Sequence, residues 1–216
     1  MKNLQKEYFK LVKMKEEIGD DFLYYKEFKK PRELWVLGSF INLLKANDEF
    51  GDIFYVEQEA PDFRVLKINS YKKEINIEVL EVLHPGRERS KENPNREHSI
   101  PFDNNFWIRN IEENTIDIWE SFRTGLQNKL SKNYGDNAWL LIYHNIPKHH
   151  ISNYGWWINS VCAKVEEWVE NKLIDFSNIK LQRIFVVNCN ADELMSIYPE
   201  FKVLYSEYEQ YFRKIK

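Results

Sequence analysis

Two stretches of this chain, Ala138-Trp139-Leu140-Leu141-Ile142-Tyr143 and Ile184-Phe185-Val186-Val187, run apolar residue after residue without alternation. A strand with one wet face alternates apolar and polar side chains, whereas a strand without alternation must be covered on both sides. Residues 138–144 and 183–188 therefore read as buried strands of a sheet that carries helices on both faces. The covering helices are legible too. Leu4, Tyr8, Leu11, Val12 and Ile18 recur at helical spacing over residues 1–18. A second helix reads from about Pro31, a residue suited to a first helical turn, with Leu34, Leu37, Phe40, Ile41 and Leu44 as its buried stripe. Asn47-Asp48 and Gly51 end it. A third runs from Thr115 to about Lys132 on Ile116, Trp119, Phe122, Leu126 and Leu130, and a fourth spans roughly 155–172.

Between the second and third helices lie strand-like runs at 53–57, 62–68 and 74–83, rich in β-branched and aromatic residues. A short helix is expected after Ala191 and an aromatic helix through 205–214. The class is α/β, a mixed β-sheet flanked by helices.

The composition excludes several functions. Only seven glycines are present among 216 residues, and neither G-x-G-x-x-G nor a Walker-type lysine loop occurs. A G-x-S-x-G nucleophile turn is missing as well, which places a small-molecule hydrolase last. With 31 basic against 34 acidic residues the net charge is -3, so a nucleic-acid role requires local segregation of charge. Cys162 and Cys189 are far apart without metal-type spacing and read as buried free thiols. His84, His144, His149 and His150 lack neighbouring thiolates and read as loop histidines rather than a zinc site. The lysine-rich start is interrupted by Glu and Gln, and no apolar run approaches a membrane span. A soluble, cytoplasmic protein with no membrane partner is the expectation.

The chemistry concentrates in the strand runs. Asp62 follows Pro61 at the start of the second run, and Glu78 interrupts the third. In that third run Ile75, Ile77 and Val79 alternate, which puts Asn76 and Glu78 on the opposite face. Paired as a hairpin, the two runs can bring both carboxylates to one edge of the sheet. Carboxylates brought together out of water repel each other and require a proton, a cation or a metal. A hard divalent ion on oxygen ligands, Mg2+ or Mn2+, is one solution and suits phosphodiester chemistry. Residues 84–113 form a long polar connection in which Arg87, Arg89, Lys91 and Arg96 are the best candidates for phosphate contact, although interspersed acids suit a solvated loop equally.

The helix, three-strand meander, helix and strand resemble the PD-(D/E)XK nuclease-like family, whose core order is αβββαβ. The resemblance covers about residues 31–145 of a single domain, 1–216. Residues 1–30 would be an N-terminal helical extension, and 146–216 a C-terminal αβα elaboration. Pro61-Asp62 corresponds to the family's proline-acid pair, and Glu78 to the acid of its acid-x-lysine triplet. Glu33 occupies a suitable place for the family's helix glutamate.

The triplet lysine is replaced by Leu80, and Lys129 on the following helix is the candidate for a relocated cation, with Gln127 assisting by hydrogen bonding. A family variant carries Glu-x-x-Glu, which Glu78 and Glu81 fit by spacing. Strand parity nevertheless puts Glu81 on the other face unless a bulge intervenes, and leaves it a supporting role. The resemblance implies hydrolysis of DNA or RNA by Asp62, Glu78, Glu33 and Lys129, with Asp62 and Glu78 as magnesium ligands. Leu80, the acidic balance and the aromatic content favour a rival: a catalytically silent nuclease-like domain that binds a protein partner or a second copy of itself. Each residue also has a purely structural reading. Asp62 can start a strand after a turn, and Glu33 can complement a helix dipole.

Overall fold

In the computed structural model the described residues are 2–19, 22, 26–44, 53–67, 74–82, 119–144, 158–188, 193–200 and 202–206. A two-residue strand β1 (Lys2–Asn3) leads into helix α1 (Leu4–Ile18). Asn3 caps that helix, its Oδ1 accepting the Lys6 N–H at 2.9 Å. Gly19, at φ 70°, closes it by donating its N–H to the Lys15 carbonyl. After a 3-10 turn (Lys26–Phe28), helix α2 (Lys29–Leu44) begins two residues before Pro31. It crosses α1 so closely that a Cβ on Gly38 would overlap the Tyr8 ring.

The meander follows as β2 (Ile53–Glu57), β3 (Phe63–Lys67) and β4 (Glu74–Val82). Helix α3, described over 119–130, leads to β5 (Ala138–His144), and α4 (Ile158–Glu170) to β6 (Arg183–Asn188). The described strands join one eight-stranded sheet in chain order, with β7 (Glu193–Tyr198) and β8 (Lys202–Ser206) at its far edge. β4, β5 and β6 are mutually parallel and the remaining neighbours antiparallel, so the sheet is mixed.

Strand parity sorts the core into two layers. Ile77 and Val79 of β4, Leu141 and Tyr143 of β5, and Phe185 and Val187 of β6 pack with α1 and α2. Val82, Leu140, Ile142, Ile184 and Val186 pack with Phe122 and Leu126 of α3 and Val161, Val165 and Trp168 of α4. The central strands are therefore buried on both faces, which is why they carry no alternation.

The C-terminal region differs from expectation. The helix expected after Ala191 is strand β7, and residues 205–206 of the expected aromatic helix belong to β8; the rest of that segment is outside the described residues. Ala191, Glu193, Leu194 and Met195 are good helix formers, but local propensity yields to tertiary pairing. β6 presents an open ladder edge, and β7 fills it while sending Leu194 into one core layer and Met195 and Ile197 into the other. Among the described residues the elaboration is thus α4 followed by three strands, rather than the expected αβα.

Candidate functional site

The site begins where the β3–β4 ladder stops. Phe63 pairs with Ile77 as the last rung, which puts Asp62 opposite Glu78 in the same register. Asp62 Oδ2 accepts the Val79 N–H at 3.0 Å and so satisfies a backbone donor beyond the last rung. The turn before it is closed by the Gln58 N–H on the Asp62 carbonyl. Asp62 is buried, and its second oxygen, Oδ1, lies 3.0 Å from Lys30 Nζ in the first turn of α2.

Lys30 is shared. The same amine stands 3.0 Å from Glu33 Oε2, one turn along α2, while Lys29 Nζ lies 3.5 Å from Glu33 Oε1. Burial pushes the Glu33 carboxyl above the usual carboxylate range, and the Asp62 charge adds to this against the pull of the lysines. For Lys30 burial works against the charged form, but hydrogen bonds to Asp62 and Glu33 outweigh it and raise the amine.

Glu78 points from β4 toward α3, and Lys129 donates to its Oε1 from that helix. Glu78 is 6% exposed, and its Oε2 is buried without an aligned hydrogen bond. The Tyr134 hydroxyl is buried beside it, and burial, the charges of Glu78 and Asp62 and a hydrogen bond with Glu78 drive that phenol well above its ordinary range. Tyr134 is held there by Asn76, whose Nδ2 donates to the carbonyls of Tyr134 and Asp136 at 3.2 Å each. Asp62, Glu78, Glu33, Lys129, Lys30 and Tyr134 thus surround the end of the β3–β4 ladder, contributed from both helical layers.

The remaining sequence candidates lie elsewhere. Glu81 faces the α2 layer and pairs with the fully buried Arg32 at 3.7 Å, as strand parity requires. Gln127 is turned away from Glu78 and donates to the Leu173 carbonyl beyond α4. On a helix, residues two apart point to nearly opposite sides, so Lys129 and Gln127 could not both reach Glu78. Arg87, Arg89, Lys91 and Arg96 are outside the described residues, as are His84, His149, His150 and Cys189 and the side chains of His144 and Cys162.

Two members of the constellation, Lys30 and Tyr134, were not signalled by strand motifs. Lys29 and Lys30 sit four and three residues before Glu33, a spacing that forms helical ion pairs once α2 is started at Lys29 rather than Pro31. Tyr134 lies in a connection, and no spacing announces it.

Among the described residues no group of three or more His, Cys, Asp or Glu side chains is gathered to hold a metal. Two carboxylates nevertheless fit magnesium, which keeps several waters and takes one or two carboxylates together with substrate phosphate. Glu78 Oε2, buried beside the Tyr134 hydroxyl, is a hard oxygen of the kind magnesium takes. No protein-family model, curated protein or solved structure matches the chain.

Proposed function

We propose that this chain is a metal-dependent phosphodiester hydrolase acting on DNA or RNA, with a PD-(D/E)XK-like site. One observation carries the reading: the β3–β4 register puts Asp62 opposite Glu78, and Lys129 reaches Glu78 from α3 although Leu80 replaces the lysine on the strand. Asp62 and Glu78 would hold Mg2+ or Mn2+, which supplies charge neutralisation and a more acidic bound water. Glu33 orients the Asp62 side through Lys30. Lys129 faces the transferring phosphoryl group and stabilises the charge that develops on its oxygens as water attacks phosphorus and the ester oxygen departs.

The rival is a silent nuclease-like domain that binds a protein partner. The lysine pairing of every carboxylate in the site favours it, since such pairing stabilises the fold without a metal. Calorimetry separates the two. Wild type should bind Mn2+, and both Asp62→Asn and Glu78→Gln should lose that binding while remaining folded; magnesium-dependent cleavage of labelled DNA or RNA should then fall with them. A wild type that binds neither ion, with or without an oligonucleotide, leaves the partner-binding reading standing.

A further inference from the structure

The two lysines of the site are held differently. Lys129 is 19% exposed and wedged under α3 against Glu78. Lys30 is 47% exposed, sits in the first turn of α2, and reaches two carboxylates at once, Asp62 Oδ1 and Glu33 Oε2, each at 3.0 Å. An ammonium placed between two carboxylates does the electrostatic work of a small cation. It also stands on an oxygen that a divalent ion would use, and like charges cannot share that oxygen at such separations. Across the site Glu78 is held by the largely buried Lys129 and stands beside the buried Tyr134 hydroxyl, whereas the ammonium on Asp62 Oδ1 is half exposed.

We infer that Lys30 is a displaceable occupant of the metal position: its amine holds Asp62 and Glu33 until a divalent cation takes Asp62, and it then turns to a nonbridging oxygen of the phosphodiester. This inference rests on the metal-dependent reading of the site. Metal and substrate binding become coupled, because the released ammonium regains a charge-assisted partner only when phosphate is present. Lys30 is thereby a substrate-positioning residue in addition to the strand and helix motifs.

The test uses Mn2+ alone as the probe, titrated calorimetrically into wild type, Lys30→Gln and Lys29→Gln. Among the described residues Lys29 reaches only Glu33, at 3.5 Å, so its variant removes the same charge without freeing Asp62. The expected result is Mn2+ binding about tenfold tighter in Lys30→Gln, the factor for a site otherwise competent about a tenth of the time. Lys29→Gln should change little. Equal affinity in wild type and Lys30→Gln, or equal tightening in both variants, overturns the inference while leaving the metal reading intact. Absence of binding in all three overturns both.

A second measurement needs no variant. Acetylation of the Lys30 amine in wild type, read by mass spectrometry, should accelerate on adding Mn2+ and slow again on adding a noncleavable oligonucleotide. Lys30 reactivity that ignores Mn2+ in a protein that binds it overturns the inference even where Lys30→Gln fails to fold.

Discussion

Gly125 of α3 rests directly on Leu80 of β4: a Cβ added to Gly125 would stand 3.2 Å from Leu80 Cδ1. On the proposed PD-(D/E)XK-like reading, this contact lets a leucine stand where that motif carries lysine without emptying the site of positive charge. The missing side chain at 125 lets α3 descend onto the strand, and Lys129, one turn further on the same helical face, comes level with Glu78, two residues before Leu80 on the same strand face. On that reading strand and helix would have exchanged duties, with leucine supplying the packing and the helix supplying the ammonium.

The exchange can be reversed. On the proposed nuclease reading, Lys129→Leu should lower magnesium-dependent cleavage by about 10²–10³-fold, the loss expected when a donor to a developing oxyanion is removed. Adding Leu80→Lys should restore a substantial part of it, since the new amine starts from the same strand face as Glu78. The cleavage rate of a labelled oligonucleotide is the readout. A double variant no better than Lys129→Leu would show that the position of the amine on α3 matters beyond its charge.

Asn76 pins the connection that carries Tyr134, with two hydrogen bonds of 3.2 Å to backbone carbonyls. Asn76→Ala should cost about 1–3 kcal/mol of unfolding free energy, chiefly because the Tyr134 carbonyl loses its donor at a partly buried place. The shift in urea midpoint at unchanged slope measures it.

Much of this architecture was legible because burial leaves marks on sequence. Ala138–His144 and Arg183–Asn188 occupy the strand limits read from unbroken apolar runs, since two-sided burial dictates nearly every residue, and Ile53–Glu57 occupies those read from its β-branched and aromatic residues. The β7–β8 hairpin was not legible: its helix-forming residues are extended only because β6 offers an edge, and that edge exists only in the assembled sheet. Within the site, Asp62 and Glu78 could be paired from strand spacing, and parity placed Glu81 on the other face. Lys30 escaped because its role depends on a helix start at Lys29, two residues earlier than the proline signal suggests. Tyr134 escaped because a connection has no period from which to read direction.

Glu33 makes stability depend on pH in a defined direction. Its carboxyl is raised above 4.5 in the folded protein, chiefly by burial. Across the window from 4.5 upward to the raised value the native state binds more protons than the unfolded chain, so stability falls as pH rises. The contribution is fully present below the unfolded value and lost above the folded one. Glu33→Gln removes this dependence. The stability of wild type relative to Glu33→Gln should therefore decline with pH and then level off, as read from urea midpoints over roughly pH 4–8. A difference that rises with pH would mean that Lys30 and Lys29 outweigh burial at this carboxyl.

On the reverse face of β4, Arg32 is fully buried, its Nη1 donating to the Phe22 carbonyl at 3.1 Å and its Nε 3.7 Å from Glu81 Oε1. The pair ties α2 to the strand that bears Glu78, one residue from Glu33 on the helix and three from Glu78 on the strand. Arg32→Met leaves the Glu81 charge in a nearly dry place and should cost about 3–5 kcal/mol. Arg32→Met combined with Glu81→Leu removes both charges and should recover most of that loss. Because Glu81 points away from Asp62 and Glu78, Mn2+ affinity in the refolded double variant should equal that of wild type. Loss of Mn2+ binding there, with stability restored, would make the Arg32–Glu81 pair part of what sets the spacing between Glu33 and Glu78, rather than a fastening of the fold alone.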